Sequence, residues 1–140
     1  MDSVDVLVVG SGPAGSVAAR YAAKSGASVK ILERRPMVGV PVRCGEFMPS
    51  DEEILSMFPK LKDMDTLFNI PDELRCLNTV GINLIDPDDN VTKLEFNGYT
   101  TDRDRFDQYL AKLAVESGAE ISFNDSFRQI KDGIAETDKG

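Results

Sequence analysis

The chain has 140 residues, enough for one domain with a real core, and its 41% apolar and 29% charged residues are ordinary for a globular protein. A net charge of −8 argues against nucleic acid as a partner, and no stretch approaches the roughly 18 apolar residues needed to span a bilayer. Histidine is absent, which excludes Ser–His and Cys–His nucleophiles and histidine-held metals within the chain, so demanding chemistry falls to a bound cofactor.

The first predicted strand is Asp5-Val6-Leu7-Val8-Val9, read as buried, and it runs into Gly10-Ser11-Gly12-Pro13-Ala14-Gly15. Each glycine of this G-x-G-x-x-G has a separate task. Gly10 permits the tight turn, Gly12 lets a ligand pyrophosphate approach the backbone, and Gly15 lets a helix pack closely on the sheet. Pro13 suits a first helical turn, and the alanines at 14, 18, 19 and 22 with Val17 and Tyr21 predict a narrow helix ended by Gly26. Val29-Lys30-Ile31-Leu32 predicts a second strand that ends at Glu33, 18 residues after Gly15. An acid there is placed to accept hydrogen bonds from ribose hydroxyls. Arg34 follows it, to flank an adenine or to stand as a solvated charge.

A Pro/Gly-rich loop is expected from Pro36 to Pro49. Ser50-Asp51-Glu52-Glu53 reads as a capping box opening a short helix that Pro59 ends. Residues 60–78 carry little pattern beyond a short helix and loop around Pro71. Thr79–Ile85 and Val91–Phe96 predict a hairpin across Asp86–Asn90, with another turn at Asn97-Gly98. A helix over Asp102–Ser117 carries Phe106, Tyr109, Leu110, Leu113 and Ala114 at helical spacing, a stripe read as core. Strands are expected at Ala119–Phe123, in the sheet of the first two, and at Phe127–Ile130 and Ile134–Thr137. The closing Asp138-Lys139-Gly140 reads as a turn with no strand after it, so the chain is expected to be part of a larger protein. The cysteines Cys44 and Cys76 are far apart and make neither a disulfide framework nor a zinc site; Cys76 is read as packing. A reducing cytosol is the simplest setting.

A glycine loop alone does not separate NAD from FAD. The loop with Glu33-Arg34 resembles the opening of FAD-binding proteins of the aromatic-hydroxylase and geranylgeranyl-reductase superfamily. Pro41-Val42-Arg43-Cys44-Gly45-Glu46 looks like the loop near the flavin in archaeal geranylgeranyl reductases. Asp102-Arg103-Asp104-Arg105-Phe106-Asp107 is similar to the Arg-x-x-Phe-Asp helix of the same enzymes. The resemblance implies an α/β fold: a Rossmann-like FAD-binding domain of the GR2 type, with a βαβ start, an inserted β-hairpin and an incomplete outline. Residues 1–140 would then be the amino-terminal part of that domain, without a substrate-binding domain.

The resemblance also implies a flavoenzyme that reduces isolated C=C bonds of isoprenoid lipid chains with FAD as cofactor and an external electron donor. By family position, Gly10, Gly12, Pro13, Ala14 and Gly15 would hold the diphosphate. Arg103 would contact the flavin's ribityl or phosphate region, and Arg43, Cys44 and Gly45 would lie near its ring. Cys44 is the candidate catalytic residue. The backbone around Phe127-Arg128 would meet the adenine. Membrane contact would be peripheral and follow from the lipid substrate. A flavin monooxygenase and a non-catalytic dinucleotide-binding module stay open as alternatives.

Overall fold

A computed structural model of the chain describes residues 3–62 and 70–140. Its elements in chain order are β1 (Val6–Val9), α1 (Pro13–Lys24), β2 (Val29–Glu33), β3 (Phe47–Pro49), α2 (Asp51–Met57), a 3-10 turn (Asp72–Leu74), β4 (Arg75–Ile85), β5 (Val91–Thr101), α3 (Arg103–Glu116), β6 (Glu120–Phe123), β7 (Phe127–Lys131) and β8 (Ile134–Thr137). They fall into two units, Met1–Arg43 with Asp104–Gly140, and Cys44–Arg103.

The first unit is built on a parallel sheet of order β1-β2-β6. β1 aligns Val6 with Val29 and Val9 with Leu32, and β2 aligns Lys30 with Glu120 and Glu33 with Phe123. The expected membership of the third strand in this sheet holds. β2 lies between two neighbours, and Val29, Ile31, Leu32 and Glu33 are all buried, as a central parallel strand requires. β1 departs from its reading as a buried strand. It is half-buried, and Val9 is 59% exposed, because β2 is its only strand neighbour among the described residues.

Small side chains let α1 and α3 lie close to these strands. Ala19 and Ala114 join Val29, Ile31 and Ala119 in the core, with Val6, Val8 and Ile121 packed against them. The α3 stripe is core as expected: Phe106 and Ala114 are buried and Tyr109, Leu110 and Leu113 half-buried. Gly26 (φ +92°) and Gly118 (φ +106°) close the two helices in the left-handed conformation that a side chain would oppose. β7 and β8 form a hairpin whose two-residue turn, Asp132-Gly133, has positive φ at both positions, the geometry that matches strand twist. The last residues are tied back to this unit. Asp138 accepts from Arg128 at 2.6 Å, and Lys139 Nζ donates to the Phe123 carbonyl at 2.6 Å.

The second unit is an antiparallel sheet of order β3-β5-β4 with α2 beside it. Its hairpin turn is where the sequence places it. Asp86 Oδ1 accepts from the N–H groups of Asp88 and Asn90, both at 2.9 Å, and these bonds hold the turn. Three expectations change. The expected loop up to Pro49 contains β3, three residues that gain their extended form from pairing with Gly98–Thr100. β4 begins at Arg75 rather than Thr79. Asn97-Gly98 is not a turn but the middle of β5: Gly98 is there because a Cβ would stand 2.3 Å from the Met48 carbonyl oxygen and 2.7 Å from the Phe47 ring. The short helix and loop expected in residues 60–78 fall partly outside the described residues; the 3-10 turn lies just after Pro71.

Candidate functional site

The site is built where β1 ends and α1 begins. The Gly10 N–H donates to the Leu32 carbonyl at 2.8 Å, which ties the loop to β2, and its φ of +93° makes the turn. Gly15 packs as its position requires: a Cβ there would lie 2.0 Å from the Gly10 carbonyl oxygen and 3.2 Å from Val8. Gly12 is the opposite case. It is exposed, and a Cβ on it would meet nothing within 4 Å, so the space before the loop is open.

Gly12 is also the N-cap of α1, with Pro13 in the first turn. It offers no side-chain cap, and the first turn carries no acid. The first N–H groups of a helix have no partner within it, and its amino end carries about half a positive charge. An anion there gains roughly 0.3–2 kcal/mol from the dipole alone.

Glu33 stands beside this loop. Its Oε2 accepts from the Ser11 N–H at 2.9 Å and the Ser11 hydroxyl at 2.8 Å, and its Oε1 accepts from the Arg35 N–H at 3.0 Å. Glu33 as a residue is 7% exposed. Burial alone would push its pKa up, but the Ser11 and Arg35 hydrogen bonds outweigh it and hold the group below the ordinary value of 4.5. It is therefore ionised at neutral pH and able to accept a ligand hydroxyl. An open Gly12, an uncapped helix end and an ionised acceptor beside them fit the diphosphate and ribose of FAD.

The structure thus brings the glycine loop and Glu33 into direct contact. It does not do so for the other candidates. Arg34 is exposed after β2, Arg43 is exposed in its loop, and Phe127 is a half-buried first residue of β7. Among the described residues no hydrogen bond joins the side chains of Arg34 or Arg43 to the glycine loop. In the second unit, Arg103 Nη1 donates to the Gly45 carbonyl at 3.3 Å, so the two expected flavin-side segments meet each other. Cys44 is exposed beside them, and Cys76, expected as packing, is exposed on β4.

Sequence reasoning missed Ser11 and Ser16. Both are wholly buried, and the Ser16 hydroxyl donates to the Ser11 carbonyl at 2.9 Å. The available signal was a hydroxyl between two glycines with a second one five residues on, which the motif treats as variable.

Comparison with known proteins identifies the family. Residues 5–133 match the family described as FAD dependent oxidoreductase. The chain is 38% identical over 135 residues to a Methanosarcina barkeri protein named as uncharacterized in the nifH2 5′ region, covering 96% of this chain and 73% of that protein. It is 40% identical over 123 residues to digeranylgeranylglycerophospholipid reductase of Thermoplasma acidophilum, covering 86% of this chain but 30% of the reductase. A crystal structure of a geranylgeranyl bacteriochlorophyll reductase-like protein from the same organism superposes with a TM-score of 0.71 at 33% identity, over 96% of this chain and 34% of that one. The chain thus spans about a third of the length of these reductases. With its glycine loop, its acid and a family match across both units, the chain belongs to the FAD-dependent oxidoreductases.

Proposed function

We propose that this chain is the FAD-binding portion of an oxidoreductase that reduces C=C bonds in the isoprenoid chains of membrane lipids. The observation that carries the reading is the 40% identity to a digeranylgeranylglycerophospholipid reductase over 123 residues, 86% of this chain. FAD, when bound, supplies hydride transfer to one carbon of the alkene. The chain's own residues bind and orient. Gly12, Ala14 and Gly15 face the diphosphate with bare peptide N–H groups, and Glu33 accepts from the adenosine ribose. Arg103 and the Arg43-Cys44-Gly45 segment serve the flavin end, with Cys44 as candidate catalytic residue, and the backbone at Phe127 serves the adenine. Arg34 flanks the adenine side of Glu33.

The substrate-binding domain lies, on this reading, outside residues 1–140. The substrate is an isoprenoid lipid and the electron donor a separate molecule. The protein works in the cytoplasm, with peripheral contact to the membrane; no helix among the described residues is long and apolar enough to cross one. The test is to reduce the complete FAD-loaded protein with dithionite and add digeranylgeranylglycerophospholipid. Saturation of double bonds, read as a mass gain of two hydrogens each, is the expected result. Oxygen consumption with a hydroxylated product and no saturation would overturn the reading in favour of a monooxygenase.

A further inference from the structure

The hydrogen bonds on Glu33 limit what it can still accept. Each oxygen of an ionised carboxylate offers about two acceptor positions. On Oε2 both are taken from inside the protein, by the N–H and the hydroxyl of Ser11. On Oε1 the Arg35 N–H takes one, which leaves a single position among the described residues. The arrangement is rigid. Ser11 and Ser16 are fully buried, and the Ser16 hydroxyl pins the Ser11 carbonyl at 2.9 Å, so the Ser11 backbone cannot turn away without breaking a second buried bond.

We infer that Ser11 is a positioning residue that presents Glu33 to its ligand through Oε1 alone, so that the carboxylate takes one ribose hydroxyl rather than both. This rests on the FAD reading above, in which Glu33 serves the ribose. The wholly buried Ser11 hydroxyl holds Oε2 toward the protein interior, away from a ribose. Removing it frees the carboxylate to turn Oε2 toward the ligand and changes which hydroxyls matter, an effect that simple packing of a small residue would not produce.

The test uses the full chain and three probes, ADP, 2′-deoxy-ADP and 3′-deoxy-ADP, titrated calorimetrically. For the native chain, one deoxy probe is expected to bind about 10-fold or more weakly than ADP, the scale of a hydrogen bond to a charged group. The other is expected to bind within about 2-fold of ADP. In Ser11→Ala, the second probe should also fall well behind ADP, because both hydroxyls now reach the carboxylate. Equal, large losses for both probes with the native chain would overturn the inference even if the variant fails to fold. So would a folded Ser11→Ala variant with the native pattern unchanged. Two deoxy probes that match ADP would remove Glu33 from the ribose. A native chain that binds no ADP would overturn the FAD reading itself, a result separate from either failure above.

Discussion

The two helix starts of this chain solve the same problem in opposite ways. α2 satisfies its own amino end: the Ser50 hydroxyl accepts from the Glu53 N–H at 3.3 Å, and Asp51, Glu52 and Glu53 line the first turn. Even the capping acid is employed, since Glu53 Oε1 accepts from the Asn97 N–H at 3.0 Å. α1 does none of this. Its cap is a glycine, its first turn has no acid, and Glu33 beside the loop is turned to Ser11 and Arg35 rather than to the helix. A helix capped by glycine in place of Ser, Thr, Asp or Asn gives up only a few tenths of a kcal/mol of stability. The sequence at α1 accepts that loss and keeps the space before the loop clear, as a helix does when its anion arrives from outside.

The comparison can be broken most severely at Gly15. In Gly15→Ala the new methyl would collide with the Gly10 carbonyl, backbone against backbone, and no rotamer relieves it. Thermal unfolding should show a loss of roughly 3 kcal/mol, the upper range for an overpacked site. Stability equal to the native chain would mean that the loop and helix are not packed as described.

Gly12→Val separates ligand space from fold. Gly12 has φ −66° and ψ 177°, which any residue adopts, and open surroundings, so the melting transition should shift little. FAD binding should be lost, because the side chain fills the approach to the helix end. Retained affinity would place the diphosphate elsewhere. Ser50→Ala probes the self-sufficient helix and should cost about 1 kcal/mol in unfolding free energy, visible in a denaturant titration.

The gentlest probe is acid. Glu33 has a folded pKa below its ordinary 4.5, so its contribution to stability is complete above 4.5 and is lost as the pH falls through the depressed value. Melting temperature should therefore decline as pH drops below 4.5, and Glu33→Gln should show a lower plateau with a flatter decline. Parallel curves for the two proteins would mean that the Ser11 bonds do not depress the group.

Legibility followed the source of each element's stability. β1, α1, β2, α3 and the strands β7 and β8 carry their own periodicity, and so could be read directly; that β7 and β8 pair as a hairpin came from the fold. β3 could not, because Phe47-Met48-Pro49 is extended only by virtue of β5 beside it. Asn97-Gly98 was misread because the dipeptide ordinarily signals a turn, whereas here Gly98 makes room for the Met48 carbonyl and the Phe47 ring. In the site, Gly10, Gly12, Gly15 and Glu33 were legible because the motif fixes their spacing. Ser11 and Ser16 were not, since their part depends on distances to Glu33 and to each other that only the folded chain provides.

In the proposed function, the open amino end of α1 receives the FAD diphosphate. The most direct measurement of this is a titration of the ¹⁵N-labelled chain with FAD, followed through backbone amide resonances. The expected result is a saturable shift concentrated at Gly12, Ala14, Gly15 and Ser11, with Asp51, Glu52 and Glu53 at the start of α2 unmoved. Saturable binding that leaves the glycine-loop amides in place, or that shifts α2 instead, would contradict it.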